Sequence, residues 1–208
     1  MSLECETMPR DLFDETSAMT TAAKALERGE PVVVTGSEDG PFLMVSAEGV
    51  TPETINLMAT HGRGLVGVVL SRKRAAALGL ELQPRQGRAE APLYTRSVEA
   101  ARGTTTGISA ADRALTIRAL AFGGPGDLVT PGHIFPQVTT DRPTGQAELA
   151  LRLVASATGT PVAALCTILN DTGDVADSAH ARAVAARLGL VSVDAVEVLA
   201  IAGSEVFS

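Results

Sequence analysis

Apolar positions along the chain alternate between helical and strand spacing. From Thr16 onward, Met19, Ala22, Ala23 and Leu26 mark one helical face, and Gly29 sits where that helix would stop. PVVVT (31–35) and FLMVS (42–46) read as strands around the acidic turn GSEDGP, a hairpin or an active-site loop. Thr51 and Pro52 supply an N-cap and a first-turn proline for a helix through Thr60, with His61 just beyond its end. GLVGVVL (64–70) is a strand candidate, the charged SRKRAAALGLELQPRQGRAE after it reads as a short helix and a solvated loop, and LYTRSVEA (93–100) returns to strand. Ser109, with Asp112 three residues on, has the form of a capping box opening a helix through about Ala121, and GGPGDLVTPG (123–132) then reads as loop. Glu148 to about Thr158 has helical spacing, and VAALCTIL (162–169) is a buried strand. Ala181, Val184, Ala185 and Leu188 share one helical face, and LVSV (190–193) closes as a short strand.

Alternating elements of this kind predict helices layered on a sheet. Aromatic residues are only 3% and there is no Trp, so the core must be built from Ala, Val, Leu and Ile. With 208 residues, 45% of them hydrophobic, and no internal repeat, the chain suits a single domain over 16–208 behind a flexible N-terminus, 1–15. The net charge of −7 argues against nucleic acid or an anionic membrane as partner, though a local anion site stays open. No apolar run reaches a membrane-spanning length and the N-terminus is acidic, which points to the cytoplasm. Two cysteines, Cys5 and Cys166, do not make a disulfide framework.

Four features carry chemistry. In GTTTGISAADR, from Gly103 to Arg113, amides and hydroxyls ahead of a helix can cradle a phosphate, or form an ordinary turn capped by Ser109. His61-Gly62-Arg63-Gly64 places an imidazole and a guanidinium beside open backbone, or simply ends a helix. His133, in TPGHIFP, is a loop histidine suited to acid–base work or to solvent, and His180 reads as solvated. Glu38 and Asp39 follow a strand, where carboxylates meet Mg2+ and a phosphorylated substrate or stay in water.

Taken in order, VTPETINLMATHGRGLVGVVL, EAARGTTTGISAADRALTIRALA and PGHIFP resemble the signature regions of the 3,4-dihydroxy-2-butanone 4-phosphate synthase family, with weaker similarity in TPVAALCTILND and LGLVSVDAVEVLA. The resemblance implies a single α+β domain, a mixed β-sheet flanked by helices, paired as a homodimer with active sites at the subunit interface. It implies that ribulose 5-phosphate is enolised, dehydrated and rearranged around Mg2+, losing formate and leaving 3,4-dihydroxy-2-butanone 4-phosphate. Glu38 keeps the place of the family's metal-binding glutamate, while the arginine and aspartate of that loop become Ser37 and Phe42. The metal-binding histidine becomes Gln146, a phosphate-holding threonine becomes Ala147, and the proton-shuttling glutamate becomes Thr167.

On this reading His133, Glu38 and Asp39 are the catalytic candidates. His61, Arg63, Thr104, Thr105, Thr106, Ser109, Arg142 and Thr167 bind substrate, and Glu38 with Gln146 hold Mg2+. The expectation is a diverged member that binds a small phosphorylated or polyhydroxylated compound, catalyses a simpler elimination or enolisation, and holds Mg2+ weakly or has lost it. The alternatives are a genuine synthase, or a non-catalytic homologue that binds a ligand for regulation.

Overall fold

The computed structural model describes residues 17–87, 91–140 and 142–201. The expected flexible N-terminus and Cys5 lie outside the described residues. Helix α1 (Ala18–Glu27) starts where the Ser17 hydroxyl accepts from the Thr20 amide, and it ends just ahead of Gly29, whose φ is 75°. Strands β1 (Val32–Thr35) and β2 (Phe42–Ser46) form the predicted hairpin. In α2 (Pro52–His61) the Thr51 cap is answered by Thr54, which closes a reciprocal box, and His61 is the last helical residue. Next come β3 (Arg63–Leu70), α3 (Arg72–Ala77), β4 (Leu93–Tyr94), β5 (Val98–Ala100), α4 (Ala110–Phe122), β6 (Leu128–Ile134) and β7 (Pro136–Val138). The last described elements are α5 (Gln146–Thr158), β8 (Val162–Ile168), α6 (Ser178–Leu188), β9 (Val191–Asp194) and α7 (Ala195–Leu199).

Seven of the strands make one mixed sheet in the order β4-β7-β3-β8-β2-β1-β9. Strand β8 runs antiparallel to both β2 and β3, whereas β3 with β7 and β1 with β9 are parallel. Because strand side chains alternate, the central strands feed two apolar layers. Val33, Leu43, Val45, Val66, Val68, Ala164 and Cys166 pack with Ile55 and Met58 of α2, Ile117 and Leu120 of α4, and Val184 of α6. Val32, Val34, Phe42, Met44, Val69, Ala163 and Leu165 pack with Leu26 of α1, Leu149 and Leu153 of α5, and Val198 of α7. The chain is thus α+β, with a mixed sheet flanked by helices on both faces. Each fully buried Leu, Val or Ile contributes about 1.5–3 kcal/mol, which is how so few aromatic residues suffice.

Several elements differ from those the spacing predicts. GGPGDLVTPG is not all loop, since residues from Leu128 onward form β6, paired with β5 in a separate two-stranded ribbon. Pro131 and Gly132 read as turn formers, yet proline is tolerated where no ladder donor is needed. Gly132 is there because a Cβ would stand 2.0 Å from the Val98 carbonyl carbon. LYTRSVEA splits: β4 joins the main sheet through β7, and β5 turns away to the ribbon. Helix α5 starts at Gln146 rather than Glu148, and β7 and α7 have too few residues to show a period.

The turn after α1 crosses the turn after β2 backbone on backbone. A Cβ on Gly49 would lie 2.2 Å from the Cα of Gly29, whereas one on Gly126 would meet nothing within 4 Å. Gly49→Ala should therefore destabilise the fold by about 1–3 kcal/mol in urea titration, and Gly126→Ala by less than about 0.5 kcal/mol. Equal midpoints for the two variants would contradict this packing.

Candidate functional site

Strand β8 draws the β1–β2 loop and the start of α5 together. Phe42 pairs with Thr167 across the β2–β8 ladder, and the Thr167 hydroxyl donates to Gln146 Oε1 at 3.0 Å. Gln146 donates in turn, its backbone N–H to Asp39 Oδ2 at 3.2 Å and its Nε2 to the carbonyl oxygens of Asp39 and Gly40 at 3.2 and 3.0 Å. Arg142 closes the group, with Nε donating to Glu38 Oε1 at 2.8 Å and Nη2 to Asp39 Oδ1 at 2.7 Å. These two carboxylates, Asp39 foremost, hold the Arg142 guanidinium above its ordinary pKa. Burial, with Asp39 adding to it, pushes the Tyr94 phenol up. The Glu38 amide and the Ser37 hydroxyl both donate to the Thr144 carbonyl, so the two loops are also tied along their backbones. Glu148, buried on α5, accepts from the amide and hydroxyl of Thr140 and anchors the second loop.

Phe42 takes no part in this group. Its side chain is fully buried in the apolar layer that also holds residues of α1 and α5, so this residue serves packing. An aspartate there would bury a carboxylate in an apolar layer.

The hydroxyl-rich loop ahead of α4 is folded around an anion of the protein itself. Thr105 donates from its amide and its hydroxyl to the Asp112 carboxylate at 3.1 and 2.8 Å, and the Gly107 amide adds a third bond at 3.0 Å. Ser109 caps the helix, accepting from the Asp112 amide at 3.0 Å. The other half of the expected capping box is not made, because the Asp112 side chain turns to Thr105 and Gly107. Thr104 donates to the Ala100 carbonyl, and Thr106 is exposed. Beside this loop, Glu99 of β5 contacts Nδ1 of His133 on β6. Glu99 is only 17% exposed against 47% for His133. A Cβ on Gly107, whose φ is 81°, would lie 1.8 Å from Glu99 Oε1, so that glycine makes room for the carboxylate.

His61 and Arg63 stand at a third place, an open cavity of about 390 Å3 that His180 and Arg187 also line. His180, read as solvated, is half-buried there. The glycines of the motif are packing residues: a Cβ on Gly62 would sit 2.7 Å from Cys166 Sγ, and one on Gly64 would sit 2.5 Å from the Thr167 carbonyl oxygen. Arg63 between them has a left-handed φ of 67°, and its Nη1 donates to the Asn170 carbonyl at 2.6 Å. Burial pushes the Cys166 thiol up to about 11, which keeps it protonated and unreactive at neutral pH.

The sequence-predicted residues thus fall into three groups: Glu38, Asp39, Arg142, Gln146 and Thr167; Thr104, Thr105, Thr106, Ser109 and His133; and His61 with Arg63. Among the described residues no side-chain hydrogen bond or ion pair joins one group to another. Nor, among them, do three or more His, Cys, Asp or Glu side chains converge on a metal position. Glu99, Glu148 and Tyr94 are not among the sequence-predicted site residues, and Asp112 is predicted only as half of a helix cap. Only Asp112 leaves a signal, an acid within one helical turn of a run of hydroxyls.

A family model of 3,4-dihydroxy-2-butanone 4-phosphate synthase matches residues 20–201. A protein of that name from Pseudomonas aeruginosa is 39% identical over 79% of this chain, which spans about half (48%) of that relative's length. Another from Agrobacterium fabrum is 38% identical over 83% of this chain and 85% of its own length. Among solved structures, a 3,4-dihydroxy-2-butanone 4-phosphate synthase in complex with two magnesium ions superposes with a TM-score of 0.81 at 31% identity, covering 87% of this chain and 94% of the other. A two-domain synthase from A. baumannii gives a TM-score of 0.80 at 34% identity, over 86% of this chain and 56% of the other.

The Asp112 carboxylate is held below the usual range, first by the Thr105 hydroxyl and then by the loop amides and Ser109. A carboxylate lowered in the folded state stabilises fully above its unfolded value, and that contribution is lost as pH falls through the lowered folded value. The melting temperature should therefore drop as pH falls below about 4. Asp112→Asn should melt lower than the natural protein at pH 7 and respond less to acid in the same scans.

Proposed function

Because the chain belongs to the 3,4-dihydroxy-2-butanone 4-phosphate synthase family, we propose that it converts ribulose 5-phosphate to 3,4-dihydroxy-2-butanone 4-phosphate and formate. The observation that carries this reading is the match over nearly the whole chain, together with a relative of that name of which the chain covers 85%.

Within the reading, Glu38 and Asp39 are oxygen bases at the tip of a loop whose backbone is fixed by Thr144 and Gln146. Arg142 supplies a fork suited to a phosphate, with the exposed Thr106 as a further donor and Thr104, Thr105 and Ser109 holding their loop in shape. His133, its Nδ1 on Glu99, presents Nε2 for moving a proton. His61 and Arg63 face the open cavity and take the far end of the substrate. The chain pairs with a second copy, which would cover exposed apolar side chains such as Leu65, Ile108 and Phe122.

The donor set suits Mg2+ in kind: Glu38 and Asp39 offer carboxylate oxygens and Gln146 an amide oxygen, the hard ligands that this ion takes. When bound, the ion polarises substrate carbonyl and hydroxyl oxygens. With no third carboxylate or imidazole converging among the described residues, Glu38, Asp39 and Gln146 are the residues that would hold the ion.

One observation favours a second reading. Gln146 and Thr167, at the positions of the family's histidine and glutamate, are neutral and hydrogen-bonded to each other. A site so furnished holds the sugar phosphate and enolises or dehydrates it without completing the rearrangement, or binds it without turnover.

Incubation of the purified protein with ribulose 5-phosphate and Mg2+ separates these readings. The first predicts formate and the four-carbon phosphate in equal amounts, with kcat lowered about 10²–10⁴-fold by His133→Ala. Substrate binding with no formate would overturn it in favour of the second.

A further inference from the structure

The guanidinium of Arg142 spans two carboxylates, and it is one-third exposed where it does so. Its backbone is fixed on both sides. Upstream, Thr140 is anchored to the buried Glu148, and downstream the Gly145 amide donates to the Arg142 carbonyl at 3.2 Å. Asp39 does not depend on Arg142 for its place, because its Oδ2 and its carbonyl oxygen are both held by Gln146. The side chain of Arg142 can therefore leave while the acidic loop stays where it is. What its departure exposes is a pair of unneutralised carboxylates, and what it carries away is an unpaired guanidinium.

We infer that Arg142 is a displaceable internal counter-ion that makes a divalent cation and a phosphate-bearing anion bind together. A divalent cation at Glu38 and Asp39 competes for the same oxygens and is repelled by the guanidinium as long as it stays. Once displaced, Arg142 has lost its anionic partners and offers its fork to a phosphate. The anion in turn holds Arg142 off the carboxylates and leaves them to the cation. Each ligand thus raises the affinity of the other by the same factor, as linkage requires. The inference rests on the proposed site as the place where metal and sugar phosphate meet, but not on turnover.

Mn2+ binding followed by electron paramagnetic resonance, with and without saturating inorganic phosphate and corrected for the Mn2+–phosphate complex in solution, reads the coupling directly. The natural protein should bind Mn2+ weakly alone and about ten-fold more tightly with phosphate, and calorimetry should find phosphate affinity raised by the same factor when Mn2+ is present. In Arg142→Gln, checked for folding by circular dichroism, Mn2+ should bind more tightly than to the natural protein without phosphate, and phosphate should no longer alter it. Arg142→Lys, which keeps the charge but not the fork, should restore weak binding of Mn2+ alone. Equal Mn2+ affinity in the natural protein and Arg142→Gln, or coupling that persists in Arg142→Gln, overturns the inference and leaves the proposed reaction standing. Absence of Mn2+ binding in every combination overturns both the inference and the assignment of the metal to this site.

Discussion

Strand β8 is paired along both edges and buried on both faces, and that constraint sets where everything else can go. A central strand cannot slip by one residue without turning Ala163 and Leu165 into the layer that now holds Ala164 and Cys166. With the register fixed, Thr167 faces Phe42 at the end of the acidic loop and Ile168 faces Arg63 at the end of the HGRG motif. Two chemically interesting turns, far apart in sequence, thereby meet at one end of one strand. The small residues of β8 matter here, since Gly62 and Gly64 lie almost against Cys166 and Thr167.

Around that frame, the polar groups are arranged before any ligand arrives. Asp112 fills the hydroxyl loop, Glu99 holds His133, Glu148 anchors the loop that carries Arg142, and Arg142 itself neutralises Glu38 and Asp39. Partly buried charges must be paired, so each is matched by a donor or an opposite charge from another segment. Such pairing fixes geometry at little cost when a ligand binds. It also means that ligands must exchange with internal partners, and Arg142, one-third exposed and paired to an Asp39 that Gln146 also holds in place, is open to that exchange.

Much of the scaffold was legible in the sequence because burial imposes a period. β1, β2, β8 and the second half of β3 are apolar runs covered on both sides, and α2 and α6 show their buried faces. β6 was not legible, since the features that place Pro131 and Gly132 in it are an edge position and contact with the backbone of Val98, and neither leaves a pattern along the chain. Within the site, Glu38 and Asp39 were singled out as carboxylates in a turn after a strand, and Arg142, Gln146 and Thr167 by family resemblance, and the structure brings them together. What the sequence concealed is the partner of each group. Asp112 looked like half of a helix cap, and Phe42 looked like a lost carboxylate when it is a core side chain. Pairings across 104 positions, as between Glu38 and Arg142, have no local signature.

The central claim is that the acidic loop, Arg142 and the first turn of α5 form the place where a divalent cation and a sugar phosphate meet. A crystal structure of the protein with Mn2+ and ribulose 5-phosphate, with anomalous scattering used to locate the metal, tests that claim most directly. The account predicts an anomalous peak against Glu38, with the Arg142 guanidinium turned from the carboxylates to the phosphate. A peak elsewhere, with the phosphate seated between His61 and Arg63 and the Arg142 ion pairs intact, would contradict it.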